Sequence, residues 1–205
     1  MFKFNAVRPP TSGWLEVWLE DEVVQYLSER ISEASVSVKD TLAGNISESL
    51  DLEDKDNFFL KNVLLDCANN YVNSFPFSQK KPDSIGAKGE LTLNGFWVNY
   101  QKQHEFNPMH DHGGLYSFVI WMKIPTTHEE QHNLDFVKGM KNPCASNFEL
   151  TYIDTTGAIK AYPYYMDPDK EGKMLFFPST LKHAVYPFYQ CDGERISISG
   201  NLYYT

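Results

Sequence analysis

Apolar positions between residues 14 and 34 recur at helical spacing. Val17, Val23, Val24, Leu27 and Ile31 alternate with acidic residues, which predicts an amphipathic helix. Residues 35–50 are Ser-rich and mixed, the composition of a loop or an irregular strand. A second helix is predicted over residues 53–74, where Phe59, Leu60, Val63, Leu64, Cys67 and Tyr71 form an apolar stripe. Its Asp/Glu-rich opening suits the positive end of a helix. Residues 75–89 collect Pro, Ser, Gly and Lys and read as a linker. After it the period changes to two. Strands are predicted at 90–93, 96–103, 107–112, 115–124, 147–154, 159–164, 173–177, 182–187 and 194–203. Asn94-Gly95, Gly113-Gly114, Thr156-Gly157, Pro178 and Asp192-Gly193 mark the turns, and the polar stretch 125–146 reads as an insertion.

Two helices followed by a run of short strands predict an α+β chain with a β-sandwich or jelly-roll core. We read residues 1–205 as one domain. Residues 1–85 form a helical support packed on one sheet, and residues 86–205 form the core. The length of 205 residues suits a single well-buried domain. Aromatics reach 15% and concentrate after residue 90, which favours strands there. The formal net charge of −9 disfavours non-specific nucleic-acid binding. No apolar run is long enough to span a bilayer, and the opening MFKFNAVRPP lacks the apolar region of a signal peptide. Cys67, Cys144 and Cys191 fit no zinc spacing, so we expect reduced thiols in a cytoplasm.

Three segments carry candidate chemistry. In Asn107-Pro108-Met109-His110-Asp111-His112-Gly113-Gly114, a strand end would point His110 and His112 to one face and Asp111 to the other. Two such imidazoles can converge on one metal. In Gly172–His183, an apolar strand enters a Pro-marked turn and returns with His183 at the start of the next strand. In Arg195–Asn201, alternation is strict. Arg195, Ser197, Ser199 and Asn201 share one face, and Ile196, Ile198, Gly200 and Leu202 share the other. The polar face belongs either to solvent or to a barrel interior, where the planar guanidinium of Arg195 would suit a carboxylate. Taken singly, each segment has a structural explanation: a surface histidine pair, a packed histidine, a solvated strand face.

Taken together, His-x-His, a distal His and Arg-x-Ser twelve residues later resemble the iron(II)- and 2-oxoglutarate-dependent oxygenases. More narrowly, residues 95–204 resemble a small oxygenase group of phages and marine bacteria, through residues 107–112, 172–187 and 195–199. The resemblance implies a double-stranded β-helix (jelly-roll, cupin-like). It implies iron(II) held by His110, His112 and His183, with Asp111 as an alternative ligand. Arg195 and Ser197 would hold the far carboxylate of the co-substrate 2-oxoglutarate, with Asn99 touching it as well. The implied reaction is hydroxylation of an unidentified small-molecule or peptide substrate, releasing succinate and CO2. One departure is important. Most members of that family carry Asp or Glu where this chain has His112, so three neutral imidazoles would leave the metal a stronger Lewis acid.

Two other readings stay open at this level. Gly172, Pro178 and His183 also fit the second motif of a cupin-type dioxygenase or isomerase, although no Glu follows His112 at the first motif's spacing. A non-catalytic jelly-roll binding module is the other. His128-Glu129-Glu130-Gln131-His132 matches the zinc-protease motif H-E-x-x-H. No apolar stripe surrounds it, so we read it as a surface loop, a candidate lid.

Overall fold

The computed structural model describes residues 13–75 and 89–205; the predicted linker, apart from its end residues, lies outside them. Ten strands form two sheets. The first contains β1 (Leu15–Trp18), β2 (Glu48–Asp51), β3 (Leu91–Gln101), β5 (Tyr116–Lys123), β8 (Lys173–Pro178) and β10 (Arg195–Tyr204), in the order β1-β8-β5-β10-β3-β2. The second contains β4 (Asn107–His110), β6 (Phe148–Ile153), β7 (Ile159–Tyr164) and β9 (Lys182–Val185), in the order β4-β9-β6-β7. Every pairing is antiparallel. From β3 onward the chain crosses repeatedly between the sheets, the winding of a double-stranded β-helix.

Alternation along the strands of the larger sheet builds two distinct layers. On its outer face, Phe96, Val98, Phe118, Ile120, Met174, Phe176, Ile198 and Leu202 are buried in one cluster with residues of the helices. Those helices are α1 (Asp21–Glu33) and α2 (Leu65–Ser74), the latter continuing a π-helical turn at Leu60–Leu64. Phe59 carries much of this contact, with ring centroids 6.0 Å from Phe96 and 5.5 Å from Phe118. On the inner face, Val119, Trp121, Leu175 and Phe177 meet Phe148 and Leu150 of the opposite sheet. β3 and β10 complete that inner face with polar side chains, Asn99, Gln101, Ser197 and Ser199.

Two sequence expectations need correction. The first helix starts later than its apolar period suggested, because Leu15–Trp18 alternates in burial and pairs with β8 as a strand. A part-buried polar knot ties it there. Lys173 Nζ donates to Glu16 at 2.5 Å, Tyr164 Oη donates to the same carboxylate at 2.6 Å, and Trp14 Nε1 donates to Tyr164 Oη at 2.6 Å. Asn94-Gly95, expected as a turn between two strands, lies inside the single strand β3. Gly95 takes φ +88° opposite a register shift between Gly200 and Leu202, so the pair marks a bulge. Gly200 is required by close approach, since a Cβ there would sit 2.7 Å from Phe118 Cζ and 2.8 Å from the Gly95 carbonyl. No helix among the described residues is long and apolar enough to cross a membrane.

Phe59→Ala should lower stability by about 3–5 kcal/mol, the usual cost of emptying a fully buried aromatic site, measured as a lower urea midpoint with an unchanged m-value.

Candidate metal centre

The smaller sheet brings His110 and His183 side by side. His110 on β4 is the register partner of His183 on β9, which in turn pairs with Leu150. His112 follows just past the end of β4, where its N–H donates to the Ser179 carbonyl at 2.9 Å. One nitrogen from each of the three rings lies within 4.8 Å of the others. His112 Nε2 and His183 Nε2 are 3.2 Å apart. Two nitrogens bonded to one metal at about 2.1 Å, with an angle near 90–110°, stand roughly 3.0–3.4 Å apart, so this spacing fits a shared ion.

Their outer contacts aim the rings. His110 Nδ1 donates to the Pro108 carbonyl at 2.7 Å, and His183 Nδ1 to the Leu181 carbonyl at 2.9 Å. A neutral imidazole protonated at Nδ1 carries its lone pair on Nε2, the atom turned toward the cluster. Phe177 and Phe148 pack on the His183 ring, and Trp97 meets the edge of His112. Burial, then the neighbouring His110, pushes His112 down to about 4 and His183 down to about 3. Both rings are therefore neutral, as metal ligands must be, at ordinary pH.

Asp111, the alternative ligand, is turned away. Its carboxylate is half exposed and accepts from Lys182 Nζ at 2.9 Å. The alternation that brings His110 and His112 together sends Asp111 to the other side of the chain. The zinc-protease motif lies in a different place. His128–His132 is a short helix, α3, rather than the expected loop, capped by Thr127 and anchored by the buried Gln131. Its two histidines find no third ligand among the described residues.

A narrow cavity runs inward from the histidines between the sheets. Asn99, Gln101, Ser197 and Ser199 line its polar side, and Val119, Phe148 and Phe177 its apolar side. Asn99 is already engaged, its Oδ1 accepting from Ser49 Oγ at 2.7 Å. Arg195 lies behind Gln101 rather than on the cavity wall. It is only 1% exposed, and burial alone pushes its guanidinium down to about 9, so it remains charged at neutral pH. Its partners are uncharged. Nη1 donates to Gln101 Oε1 at 3.3 Å, and Nη2 donates to the Ser146 carbonyl at 2.9 Å and to the Ser146 hydroxyl. The Phe188 ring lies 5.4 Å from the guanidinium carbon, while buried Nε has no partner.

Gln101, Ser146 and Phe188 were not singled out by sequence reasoning. For Gln101 a signal existed, since it shares the face of Asn99 two residues earlier. Ser146 carried none, because the insertion that holds it has no periodicity.

Residues 95–201 match the family described as "Putative 2OG-Fe(II) oxygenase". Among solved structures, HygX from Streptomyces hygroscopicus, determined with nickel, 2-oxoglutarate and hygromycin B bound, superposes with a TM-score of 0.57 at 10% identity, covering 95% of this chain and 84% of that one. A prolyl hydroxylase from Trichoplax adhaerens, in complex with a hypoxia-inducible-factor peptide fragment, superposes with a TM-score of 0.52 at 12% identity, covering 95% and 84%. At such identities the likeness is one of fold. No curated protein matches the chain.

The neutral histidines also set a pH dependence for the metal-free protein. Unfolding frees both rings to protonate near 6.5, whereas folded His112 and His183 resist protonation until about 4 and about 3. The unfolded state then binds more protons, so stability falls as pH drops from 6.5, by up to about 1.4 kcal/mol per pH unit for each ring. Urea unfolding in EDTA should show this fall between pH 7 and 4.5, and His183→Phe should roughly halve its slope, leaving the part due to His112.

Proposed function

Because the chain belongs to this family of iron(II)- and 2-oxoglutarate-dependent oxygenases, we propose that His110, His112 and His183 hold the iron and that Arg195 receives the distal carboxylate of 2-oxoglutarate. The observation that carries the second assignment is a buried guanidinium with no anion beside it among the described residues. An unpaired buried charge is costly, so one is retained where a ligand completes it. The orphaned Nε and the remaining hydrogen on Nη1 are donors without work. A carboxylate can accept a charge-assisted hydrogen bond from either of them.

The fit for iron rests on donor chemistry. Three imidazole nitrogens converge, with their outer N–H groups tied to backbone carbonyls where those bonds are made. Iron(II) held there supplies the chemistry that couples O2 and 2-oxoglutarate to hydroxylation of a substrate, with succinate and CO2 released. The chain's own work is placement. The histidines line the cavity, where they would hold the ion. Ser197 adds a hydroxyl on the cavity wall beside the carboxylate path. Gln101 is oriented for the same task, since its amide nitrogen donates to the Glu105 carbonyl at 2.6 Å and turns Oε1 toward Arg195. Asn99 lines the route between them, although its bond to Ser49 gives it a supporting part. Val119, Phe148 and Phe177 keep the opposite wall dry.

The substrate is a small molecule or a peptide in this reading. We assign the chain to a cytoplasm, in keeping with its three free thiols.

Two variants test the assignments. His183→Ala should abolish succinate release from 2-oxoglutarate and weaken iron binding. Arg195→Met should raise the Kd for 2-oxoglutarate by about a hundredfold, the loss of a hydrogen-bonded charged contact, while leaving thermal stability equal or higher because an uncompensated charge is removed. Unchanged 2-oxoglutarate affinity in Arg195→Met would refute the assignment.

A further inference from the structure

The insertion between β5 and β6 reaches the site at one residue. Ser146 is fully buried, and both its oxygens accept from Arg195 Nη2. Its backbone sits in the left-handed region at φ +67°, a conformation that costs a non-glycine residue of order 1 kcal/mol and persists only where surroundings enforce it. The enforcing contacts are visible. Ser146 N donates to the Pro187 carbonyl at 2.8 Å, and Tyr186 N donates to the Asn147 carbonyl at 2.8 Å. Two residues on, Phe188 presents its ring to the guanidinium. Tyr189 is then stitched to Gln131 of α3 in both directions, N to Oε1 and Nε2 to O, each at 2.9 Å.

α3, the end of the insertion and the segment 186–189 thus form one clamp closed around Arg195. Its acceptors occupy Nη2 fully, and Gln101 takes Nη1 from the other side. The donors left over are those proposed above to meet the co-substrate. A long side chain loses considerable rotamer freedom on ordering, and here that ordering precedes any ligand.

We propose that Ser146 is a positioning residue for the co-substrate: the insertion holds it in a strained backbone so that its two oxygens fix the Arg195 guanidinium for a distal carboxylate. This rests on the assignment of Arg195 made above.

The test compares 2-oxoglutarate with 2-oxopentanoate, which keeps the 2-oxo acid but lacks the distal carboxylate. Affinities are measured by calorimetry on manganese(II)-loaded protein, without turnover. Ser146→Gly suits the left-handed backbone and removes the hydroxymethyl group; Ser146→Ala removes only the hydroxyl, keeping Cβ, and carries the test should the glycine variant not fold. We expect either variant to weaken 2-oxoglutarate about tenfold, the loss of one hydrogen bond to a charged group, and to leave 2-oxopentanoate and manganese affinities unchanged. Equal weakening of both acids, or no weakening, overturns the proposal. Arg195→Met separates the two levels. Loss of the preference for 2-oxoglutarate there, with full preference in the Ser146 variants, sinks the clamp alone. Preference retained in Arg195→Met sinks the Arg195 assignment and the clamp with it.

Discussion

The register of β10 between β3 and β5 governs the rest of the molecule. Ile198 faces Val98 and Ile120 across the two pairings, while Ser197 faces Asn99 and Trp121. Side chains alternate along a strand, so a slip of one residue would exchange the two faces entirely. It would place Arg195 and the serines against the apolar helices and the isoleucines in the cavity. Both errors are costly, the first because it buries a charge in an apolar layer. The helices, by packing on Phe96, Phe118 and Ile198, therefore help to aim the polar wall that faces the histidines.

Charge is distributed unusually within the interior. The three histidines contribute no net charge when neutral, and the acid beside them, Asp111, is engaged by Lys182 outside the cluster. Arg195 contributes a full positive charge behind Gln101, on the polar side of the cavity. An ion added at the histidines would make the interior more positive still. Such an interior favours a dianion over a monoanion by simple electrostatics. With His112 in the ligand role proposed above, the co-substrate's two carboxylates would form a larger part of the site's charge balance than in a relative with an acidic ligand.

Much of this was legible in the sequence, for identifiable reasons. Among the strands from 107 onward, Arg195–Asn201 alternates strictly and Tyr116–Lys123 is apolar on both faces, and β7 spans the predicted residues 159–164. Arg-x-Ser stands on β10 and the His-x-His pair at the end of β4, so alternation indicated which residues share a side. Other features were hidden because their signals are tertiary. Leu15–Trp18 is too short to separate its period from that of the helix that follows, and it became a strand through a partner far along the chain. Asn94-Gly95 has turn chemistry, yet Gly95 uses its freedom for a bulge. The helix at His128–His132 is one short turn fixed by a capping box, below what apolar spacing can reveal. Ser146 owes its place to contacts with residues near 187 and 195.

β4 is an edge strand only four residues long, and its register with β9 shifts between its two matched positions. Backbone pairing therefore holds it weakly. The ligand nitrogens it and the following residues offer meet His183, which arrives from a remote part of the chain. Any ion shared by these rings acts as a non-covalent cross-link over more than seventy residues, closing a loop that the backbone alone fastens loosely. Iron supply would then govern how long this edge survives proteases, as well as whether the enzyme is active.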